Sequence, residues 1–294
     1  MRVTPLLAST FTSDGGTMFG LVPKPIWSRR IAPDDQNRIP QHAHSLLVEI
    51  EDGRKGLVDT GCGSAERCGE KEARLHGLGP GWPLLDALLA RGVRPDEVDF
   101  VVFTHLHWDH AGGVIAPPSL ARERSFPRAQ LHIHALEWED AISRNPLLYK
   151  SYPPETIDGL RSAPMRRATA DETEIQPGIW LHRTSGHTRG HCAVRLAHPN
   201  LNLVHPQAAD FSGVTQLLFA GDVCPTRHNL RMVFQTSYDT FPLDTRAWKR
   251  EWLPRIARER ILLMFDHDPD AFGALIREDE REEFAVTHLL PCVG

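Results

Sequence analysis

The sequence, 294 residues long, lacks several features that would assign it to a class at once. It has no run of eighteen apolar residues, so it offers no transmembrane helix. Its first apolar stretch is too short for a signal peptide, which leaves the cytoplasm as the expected location. It also lacks a glycine-rich nucleotide-binding fingerprint.

An excess of positive charge is missing as well. The formal net charge is −5, which gives no electrostatic attraction to nucleic acid or to an anionic membrane surface. We therefore expect no nucleic acid and no membrane as a partner, and nuclease activity is disfavoured.

Cysteines are few and scattered along the chain. Their number is odd, which argues against a disulfide framework, and the first two lack the C-x-x-C spacing of a zinc ribbon. We predict that all five are reduced thiols: Cys62, Cys68, Cys192, Cys224 and Cys292.

Histidine, in contrast, is abundant, with 16 residues, and is most concentrated in THLHWDHAGG at 104–113. This segment follows a predicted buried strand and contains the pattern H-x-H-x-D-H. Imidazole and carboxylate groups are ligands that zinc and similar divalent metals accept. Because two neighbouring metals need about six or seven protein ligands between them, the segment predicts further ligands elsewhere in the chain.

Three further candidates each follow a predicted strand: His187 in TSGHTRGH, Asp222 in LLFAGDV and His267 in LLMFDHD. Side chains at strand ends can converge at one edge of a sheet, so these residues predict one shared metal site. Isolated histidines are expected at the surface or in packing, and two on a strand are expected to be structural: His42, His76, His198 and His288, then His132 and His134.

The hydrophobic pattern predicts short strands mixed with helices. Strands are expected at 44–50, 56–59, 98–104, 131–134, 179–183, 193–196, 216–220 and 261–265, and helices at 84–91, 135–142 and 244–259. The first two strands form a predicted hairpin. Residues 1–40 are expected to form an N-terminal arm or loops, and 143–175 to be irregular. We predict a single domain over 1–294 with a layered α/β fold.

Together, THLHWDHAGG, SGHTRGH, AGDV and FDHD closely resemble the motifs of the metallo-β-lactamase superfamily of metallohydrolases. The resemblance runs from VDTG at 58–61 to the late FDHD, and it implies an αββα sandwich of two mixed sheets with outer helices. It implies a dinuclear site with His105, His107 and His187 on one metal, Asp109, His110 and His267 on the other, and Asp222 bridging both. Asp59 matches a residue that braces the metal loop, with a plain turn residue as the alternative.

The segment DGGTMFGLVPKPIW at 14–27 resembles the N-terminal region of one branch of that superfamily. This branch holds N-acyl-homoserine-lactonase-like and methyl-parathion-hydrolase-like enzymes. Homoserine lactonases have a tyrosine a few residues after the bridging aspartate, whereas this chain continues DVCPT, and its next tyrosine is Tyr238. The departure leaves open which group would orient a lactone.

The expected chemistry follows from two divalent metals that share a water, because they lower its pKa toward neutrality. Asp109 is the candidate proton shuttle, with a role as a ligand alone as the alternative. Trp108, Met18 and Phe19 are candidate substrate-binding residues, and ordinary packing is the alternative for the last two.

The leading hypothesis is a metal-dependent hydrolase that opens a lactone or a related ester. The alternative is a phosphotriester or phosphodiester hydrolase that uses the same metals, and a non-catalytic metal-bound sensor is a third interpretation. Arg189 and Arg227 are expected to be isolated surface residues, not a phosphate clamp, which favours a neutral small-molecule substrate. Histidine-rich ligation favours Zn²⁺ for both metals, and a homodimer is an open alternative.

Overall fold

The computed structural model describes residues 1–120, 123–148 and 151–293. Its strands are β1 (Arg2–Asp14), β2 (Arg38–Glu49), β3 (Lys55–Val58), β4 (Val98–Val102), β5 (Gln130–His134), β6 (Met165–Ala168), β7 (Glu172–Gln176), β8 (Ile179–Arg183), β9 (Cys192–Ala197), β10 (Asn202–Leu203), β11 (Gln216–Phe219), β12 (Leu262–Met264), β13 (Ala271–Asp279) and β14 (Glu283–Pro291). Its helices are α1 (Gly15–Phe19), α2 (Lys24–Trp27), α3 (Ala65–Leu75), α4 (Pro83–Leu89), α5 (Trp108–Ala111), α6 (Ala135–Ile142), α7 (Pro154–Leu160) and α8 (Pro242–Glu259).

The strands form two seven-stranded sheets. One has the order β10-β1-β2-β3-β4-β5-β6, and the other has the order β14-β13-β12-β11-β9-β8-β7. Both are mixed, because each contains parallel and antiparallel neighbours. The predicted sandwich of two mixed sheets with helices is confirmed.

Apolar side chains from the two sheets meet in one central core. Val48, Val58 and Val102 of the first sheet share this core with Val194 and Phe219 of the second. Further apolar clusters cover the outer faces, where α4, α6 and α7 pack on the first sheet and α8 packs on the second. The layers are therefore helix, sheet, sheet and helix, as expected when each sheet has two faces to bury.

Several elements lie where the sequence pattern predicted them. The hairpin of β2 and β3 is antiparallel, with Leu46 opposite Val58. The bounds of α6 and β8 agree with the prediction at both ends. All five cysteines lie in the described ranges, and each is a reduced thiol.

The expectation of an arm or loops at the N-terminus is wrong for residues 2–14, which form β1. This strand pairs with β2 along its whole length, but with β10 only at Arg2 and Val3. Pro5 is tolerated because the other edge of β1 is not paired in the sheet at that point. β1 contains a proline and lacks a regular alternation of apolar and polar residues, so its sequence does not show the usual pattern of a strand.

The expectation that 143–175 is irregular is wrong in part, because α7, β6 and β7 lie there. No strand was predicted after the one at 261–265, but β13 and β14 follow it. Three of these elements, β6, β7 and β14, are edge strands of their sheets. Edge strands carry more exposed polar side chains, so they lack the apolar run that marks a central strand.

The topology gathers the carboxyl ends of several strands at one edge of the sandwich. β3 runs parallel to β4 in the first sheet, and β11 runs parallel to β12 in the second. The segments that leave these four strands carry Asp59, the histidine-rich segment, Asp222 and His267. Within the described ranges, no helix has the length and apolar character needed to cross a membrane.

Candidate metal centre

A first group of ligand atoms lies in the loops that follow β4 and β8. We call His105, His107 and His187, together with Asp222, the first ligand group, since their ligand atoms lie within 4.8 Å of one another. Nε2 of His187 is 3.0 Å from Nδ1 of His107 and 3.0 Å from Oδ2 of Asp222. Nε2 of His105 lies 3.9 Å from the same oxygen.

A second group lies on the other side of the same aspartate. We call His110, Asp266 and His267, together with Asp222, the second ligand group, and it meets the same 4.8 Å limit. Nε2 of His267 is 3.1 Å from Oδ1 of Asp222, and Nε2 of His110 is 3.3 Å from that oxygen. All four side chains are buried.

Asp222 therefore presents one carboxylate oxygen to each group. Oδ2 faces His187 and His105, whereas Oδ1 faces His267 and His110. The side chain is 3% exposed and follows β11 in a short 3₁₀ turn. A carboxylate in this position can bind two neighbouring cations through its two oxygens.

The outer ring nitrogens of these histidines are held by acceptors. Nδ1 of His267 lies 2.8 Å from the carbonyl oxygen of His42, and Nδ1 of His187 lies 3.1 Å from Oδ1 of Asp239. A carbonyl and a carboxylate only accept, so each Nδ1 carries the proton and donates it. The lone pair of Nε2 then points into the centre, as in metal-binding histidines.

Asp59 holds both the loop and the ring of His110. Its Oδ2 accepts hydrogen bonds from Nδ1 of His110 at 2.9 Å and from Oγ1 of Thr104 at 2.7 Å, and its Oδ1 accepts one from the Thr104 amide. Oγ1 of Thr104 in turn lies 3.0 Å from Nδ1 of His105. Asp59 thus orients a histidine of each ligand group, and it does so from a positive φ of 54°.

Several buried polar atoms of the centre have no hydrogen-bond partner among the described residues. They are Nε2 of His105, His110 and His267, Oδ1 of Asp222, and both carboxylate oxygens of Asp266. Buried polar atoms without partners are costly, and each needs a physical explanation. Imidazole nitrogens and carboxylate oxygens are the donor set of Zn²⁺ and similar ions, so the residues fit divalent cations.

The electrostatics of the centre also favour bound cations. Burial lowers the pKa of His105 and His107 well below the usual histidine range. Burial acts in the same direction on His267, but the carboxylates of Asp266 and Asp222 outweigh it and raise its pKa to about 10. Buried negative charge therefore attracts protons to this side of the centre, and a divalent cation would satisfy the same charge.

Two further aspartates lie beside the histidines of the second ligand group. Asp109, predicted to bind the second metal, has Oδ2 3.5 Å from Nε2 of His267 and Oδ1 3.8 Å from Nε2 of His110. Asp266 was not assigned at all, and its Oδ2 lies 3.7 Å from Nε2 of His267 and 3.9 Å from Nε2 of His110. Its position beside His267 in FDHD was the available signal.

Two more buried residues escaped the sequence reading. Nε2 of His191 accepts a hydrogen bond from the amide of Asp222 at 3.1 Å, which fixes the turn that carries this aspartate. Glu137 accepts hydrogen bonds from the amide of Leu106 and from Oγ1 of Thr188, so it ties together the two loops of the first ligand group. The spacing of His187 and His191 in SGHTRGH was a signal for the former, whereas Glu137 lies on α6 without a motif.

The centre borders two cavities. One, of about 280 Å³, is lined by His107, Leu148, Tyr152 and Tyr238 among others. The other, of about 380 Å³, is lined by Trp108 with Cys62, Arg67 and His76. Trp108 is thus placed at a cavity beside the histidine-rich segment, where a substrate could contact it.

Tyr238 brings a phenol to the first ligand group from a distant part of the chain. Its ring centroid lies 5.5 Å from that of His187, and its hydroxyl donates to Sδ of Met18 at 2.7 Å. The side chain is 40% exposed, so it can contact a molecule in the adjoining cavity. Met18 is buried and reaches the cavity only through this contact.

Phe19, a candidate substrate-binding residue, packs against other aromatic rings. Its side chain is 2% exposed, stacks on Trp27 at 5.5 Å and meets Phe234 edge to face at 6.0 Å. These rings form a small apolar cluster with Met18 and Ile39. The burial of Phe19 in this cluster favours the packing alternative for this residue.

The two arginines nearest the centre already have acidic partners. Arg189 lines the smaller cavity but binds Asp140 at 2.7 Å and Glu139 at 3.2 Å. Arg227 binds Asp268 and the carboxylate of Asp270. Neither guanidinium is directed as an unpaired charge at the ligand groups.

Known proteins share this sequence pattern and fold. Residues 38–259 match the sequence model of the Metallo-beta-lactamase superfamily. A probable metallo-hydrolase of Mycobacterium tuberculosis is 33% identical over 170 residues, which are 52% of this chain and 52% of that protein. An N-acyl homoserine lactonase of Bacillus sp. is 30% identical over 159 residues, which are 49% of this chain and 54% of that protein.

The chain spans about half the length of the curated relatives it matches. The likeness in three dimensions is more extensive. The crystal structure of a probable metal-dependent hydrolase from Staphylococcus aureus superposes with a TM-score of 0.85 at 23% identity, over 99% of this chain and 97% of that chain. At this identity, the likeness establishes the fold.

Proposed function

The chain belongs to the metallo-beta-lactamase superfamily, and on this premise we propose that it is a dinuclear metal-dependent hydrolase of lactones or similar neutral esters. The observation that carries the proposal is Asp222, whose two carboxylate oxygens face two different groups of imidazoles. Similarity to an N-acyl homoserine lactonase of Bacillus supports the substrate class.

The residues divide into two binding positions. Two divalent ions, which we propose to be Zn²⁺, would supply a hydroxide nucleophile at neutral pH and polarise the substrate carbonyl. The first ligand group would hold one ion, and the second ligand group would hold the other, with Asp109 beside it. Asp59, Asp239 and the carbonyl of His42 keep the histidine rings oriented.

Asp109 is the group proposed to move the proton. Its carboxylate is 13% exposed and lies at the margin of the second ligand group, where it can meet both water and substrate. It can accept a proton at Oδ2 and return it to the alcohol that leaves when the ester opens. Asp109→Asn should therefore lower kcat roughly a hundred-fold while the metal content stays unchanged. A loss of metal of the same size would show that Asp109 acts only as a ligand.

Tyr238 is proposed to orient the substrate. Its phenol lies beside His187 and lines the cavity that His107 also lines. It therefore supplies a phenol, which the segment DVCPT at 222–226 lacks, and its hydroxyl would donate to a substrate in place of Sδ of Met18. Tyr238→Phe should raise KM for an acyl lactone several-fold, and an unchanged KM would remove this residue from the site.

A neutral substrate fits the charges around the centre. Arg189 and Arg227 are each paired with two acidic groups, so they cannot compensate an anionic substrate without losing those partners. A lactone becomes anionic only after its ring opens. A neutral phosphotriester satisfies the same condition and is the second candidate.

The test is a comparison of kcat/KM for an acyl lactone, a neutral phosphotriester and a charged phosphodiester, using protein loaded with Zn²⁺. We expect the lactone to give the highest value and the diester the lowest. Preference for the diester that is abolished by Arg189→Ala or Arg227→Ala would contradict the neutral-substrate proposal. Absence of turnover with all three would favour a metal-bound sensor.

A further inference from the structure

A second cluster of metal-binding side chains lies outside the Asp222 centre. It consists of His42, His44 and Cys292, whose ligand atoms lie within 4.8 Å of one another, and we call it the Cys292 cluster. Sγ of Cys292 is 3.5 Å from Nε2 of His44 and 3.8 Å from Nδ1 of His42. The two histidines are two residues apart on β2, so they share one face of that strand.

The protonation of His44 suits a ligand. Its Nδ1 lies 2.8 Å from the carbonyl oxygen of Phe265, which only accepts, so Nδ1 carries the proton. Nε2 therefore presents a lone pair towards Cys292. A ring nitrogen fixed on a backbone carbonyl, with the other nitrogen directed at a ligand position, is the arrangement typical of metal-binding histidines.

The distances in the Cys292 cluster fit a metal site. In a tetrahedral zinc site, Zn–S near 2.3 Å and Zn–N near 2.0–2.1 Å place sulfur and nitrogen about 3.5 Å apart. The observed 3.5 and 3.8 Å are close to this value for both imidazoles at once. Hydrogen bonds can also connect the three side chains, with S–H donating to Nε2 of His44 and Nδ1–H of His42 donating to the sulfur, so only a signal from a metal–thiolate bond separates the two arrangements.

We propose that the Cys292 cluster binds a third cation of the borderline-soft class, such as Zn²⁺, with Cys292 as a thiolate. The thiol releases its proton to solvent as the sulfur–metal bond forms. His42 and Cys292 are only partly buried, so water can reach the cluster and complete the coordination. The sequence reading placed His42 at the surface or in packing, because nothing along the chain connects it to Cys292, 250 positions later.

The position of this cluster gives it a structural role towards the second ligand group. The carbonyl of His42 accepts the hydrogen bond of Nδ1 of His267, and the amide of His44 donates to the carbonyl of Asp266 at 2.9 Å. A cation on the two His side chains would fix the strand segment that orients His267. The proposal uses no ligand of the Asp222 centre, so it stands or falls independently of the proposed function.

The test is a titration of the metal-free full chain with Co²⁺, read by thiolate-to-cobalt charge-transfer absorption. The Asp222 centre contains no thiol, so this absorption reports only on Cys292 or another cysteine. We expect the amplitude of the band at saturation to correspond to one thiolate-bound Co²⁺ per chain. The band should disappear in Cys292→Ser and persist in the matched control Cys68→Ser. It should also persist in Asp222→Ala, which disables the other centre.

A wild-type chain that fills with Co²⁺ without the charge-transfer band overturns the proposal, as does a band that survives in Cys292→Ser. If that variant fails to fold, His42→Ala serves instead, and it should weaken the band or shift it. Alkylation of Cys292 in the wild-type chain provides a second reading, because Zn²⁺ should slow it at least ten-fold. Loss of hydrolysis with the band intact would count against the proposed function alone.

Discussion

The first and second ligand groups share Asp222 but differ in charge and in access. The first has three imidazoles and no other carboxylate, whereas the second has two imidazoles and the carboxylate of Asp266. The first also reaches a cavity through His107, while His110 and His267 are each about 2% exposed. One side is thus suited to meeting a substrate, and the other to holding a cation strongly.

Removing the shared residue should have the largest effect. Asp222→Ala takes the common oxygen donor from both groups and should lower activity on the order of a thousand-fold, or about 4 kcal/mol. In the Cys292→Ser background, which removes the proposed third cation, metal content should fall from about two ions per chain, measured by elemental analysis of protein purified without chelator. The circular dichroism should stay native. Asp210→Ala, an exposed aspartate, is the control.

Two ions per chain and full activity in Asp222→Ala would show that the groups are independent. One tightly held ion in the wild-type chain would contradict the dinuclear proposal itself.

The next largest effect should separate the two groups. Asp266→Asn removes one negative charge from the second ligand group only, so the affinity for one metal equivalent should fall roughly ten- to hundred-fold. The other equivalent should bind as in the wild type. Stepwise competition with a chelator measures both affinities, and equal weakening of the two would show that Asp266 does not belong to one group.

Smaller effects are expected from the residues that orient the histidine rings. Asp239→Asn loosens His187 of the first group, whereas Asp59→Asn loosens His110 of the second group and, through Thr104, His105 of the first. Each variant should lose roughly ten-fold in metal affinity. Asparagine tolerates the positive φ of Asp59, so the backbone should not be strained. Metal release rates read the two positions separately, and identical release profiles for the two variants would contradict the assignment.

The smallest effect on activity should come from Phe19→Ala. The ring packs in an apolar cluster away from both groups, so the variant should lose about 3–5 kcal/mol of unfolding free energy. KM and kcat at a temperature where it is folded should stay within two-fold of the wild type. A raised KM for bulky apolar substrates, with unchanged stability, would restore the substrate-binding role.

These groups also show what the sequence could and could not predict. The histidines at 105, 107 and 110 stand in one short motif after a strong apolar strand, so both the ligands and their strand-end position were readable. Asp266 was not, because a carboxylate beside His267 reads equally well as an ordinary residue at a strand end. The role of Asp266 depends on its distance to His110, which follows a strand of the other sheet. A local sequence pattern cannot predict a distance between two sheets.

The fold was predictable in its buried middle and less so at its edges. Central strands such as β4 show a continuous apolar run, whereas β6 exposes Arg166 and Arg167 and looks like a loop. β1 contains Pro5 and pairs fully on one side only, so it lacked the usual strand signature. The sequence likewise could not predict contacts between residues far apart in the chain, such as that of Tyr238 with His187.

The shared carboxylate has a consequence for the order in which the centre fills. The second ligand group has one carboxylate more than the first, so the first ion should occupy it, displace the proton held on His267 and neutralise part of the charge on Asp222. The next ion then meets a weaker donor and a neighbouring cation, which makes loading sequential and negatively cooperative, with reciprocal coupling between the positions. A preparation with one equivalent of metal should therefore consist mainly of half-filled molecules, and not of an equal mixture of empty and full ones.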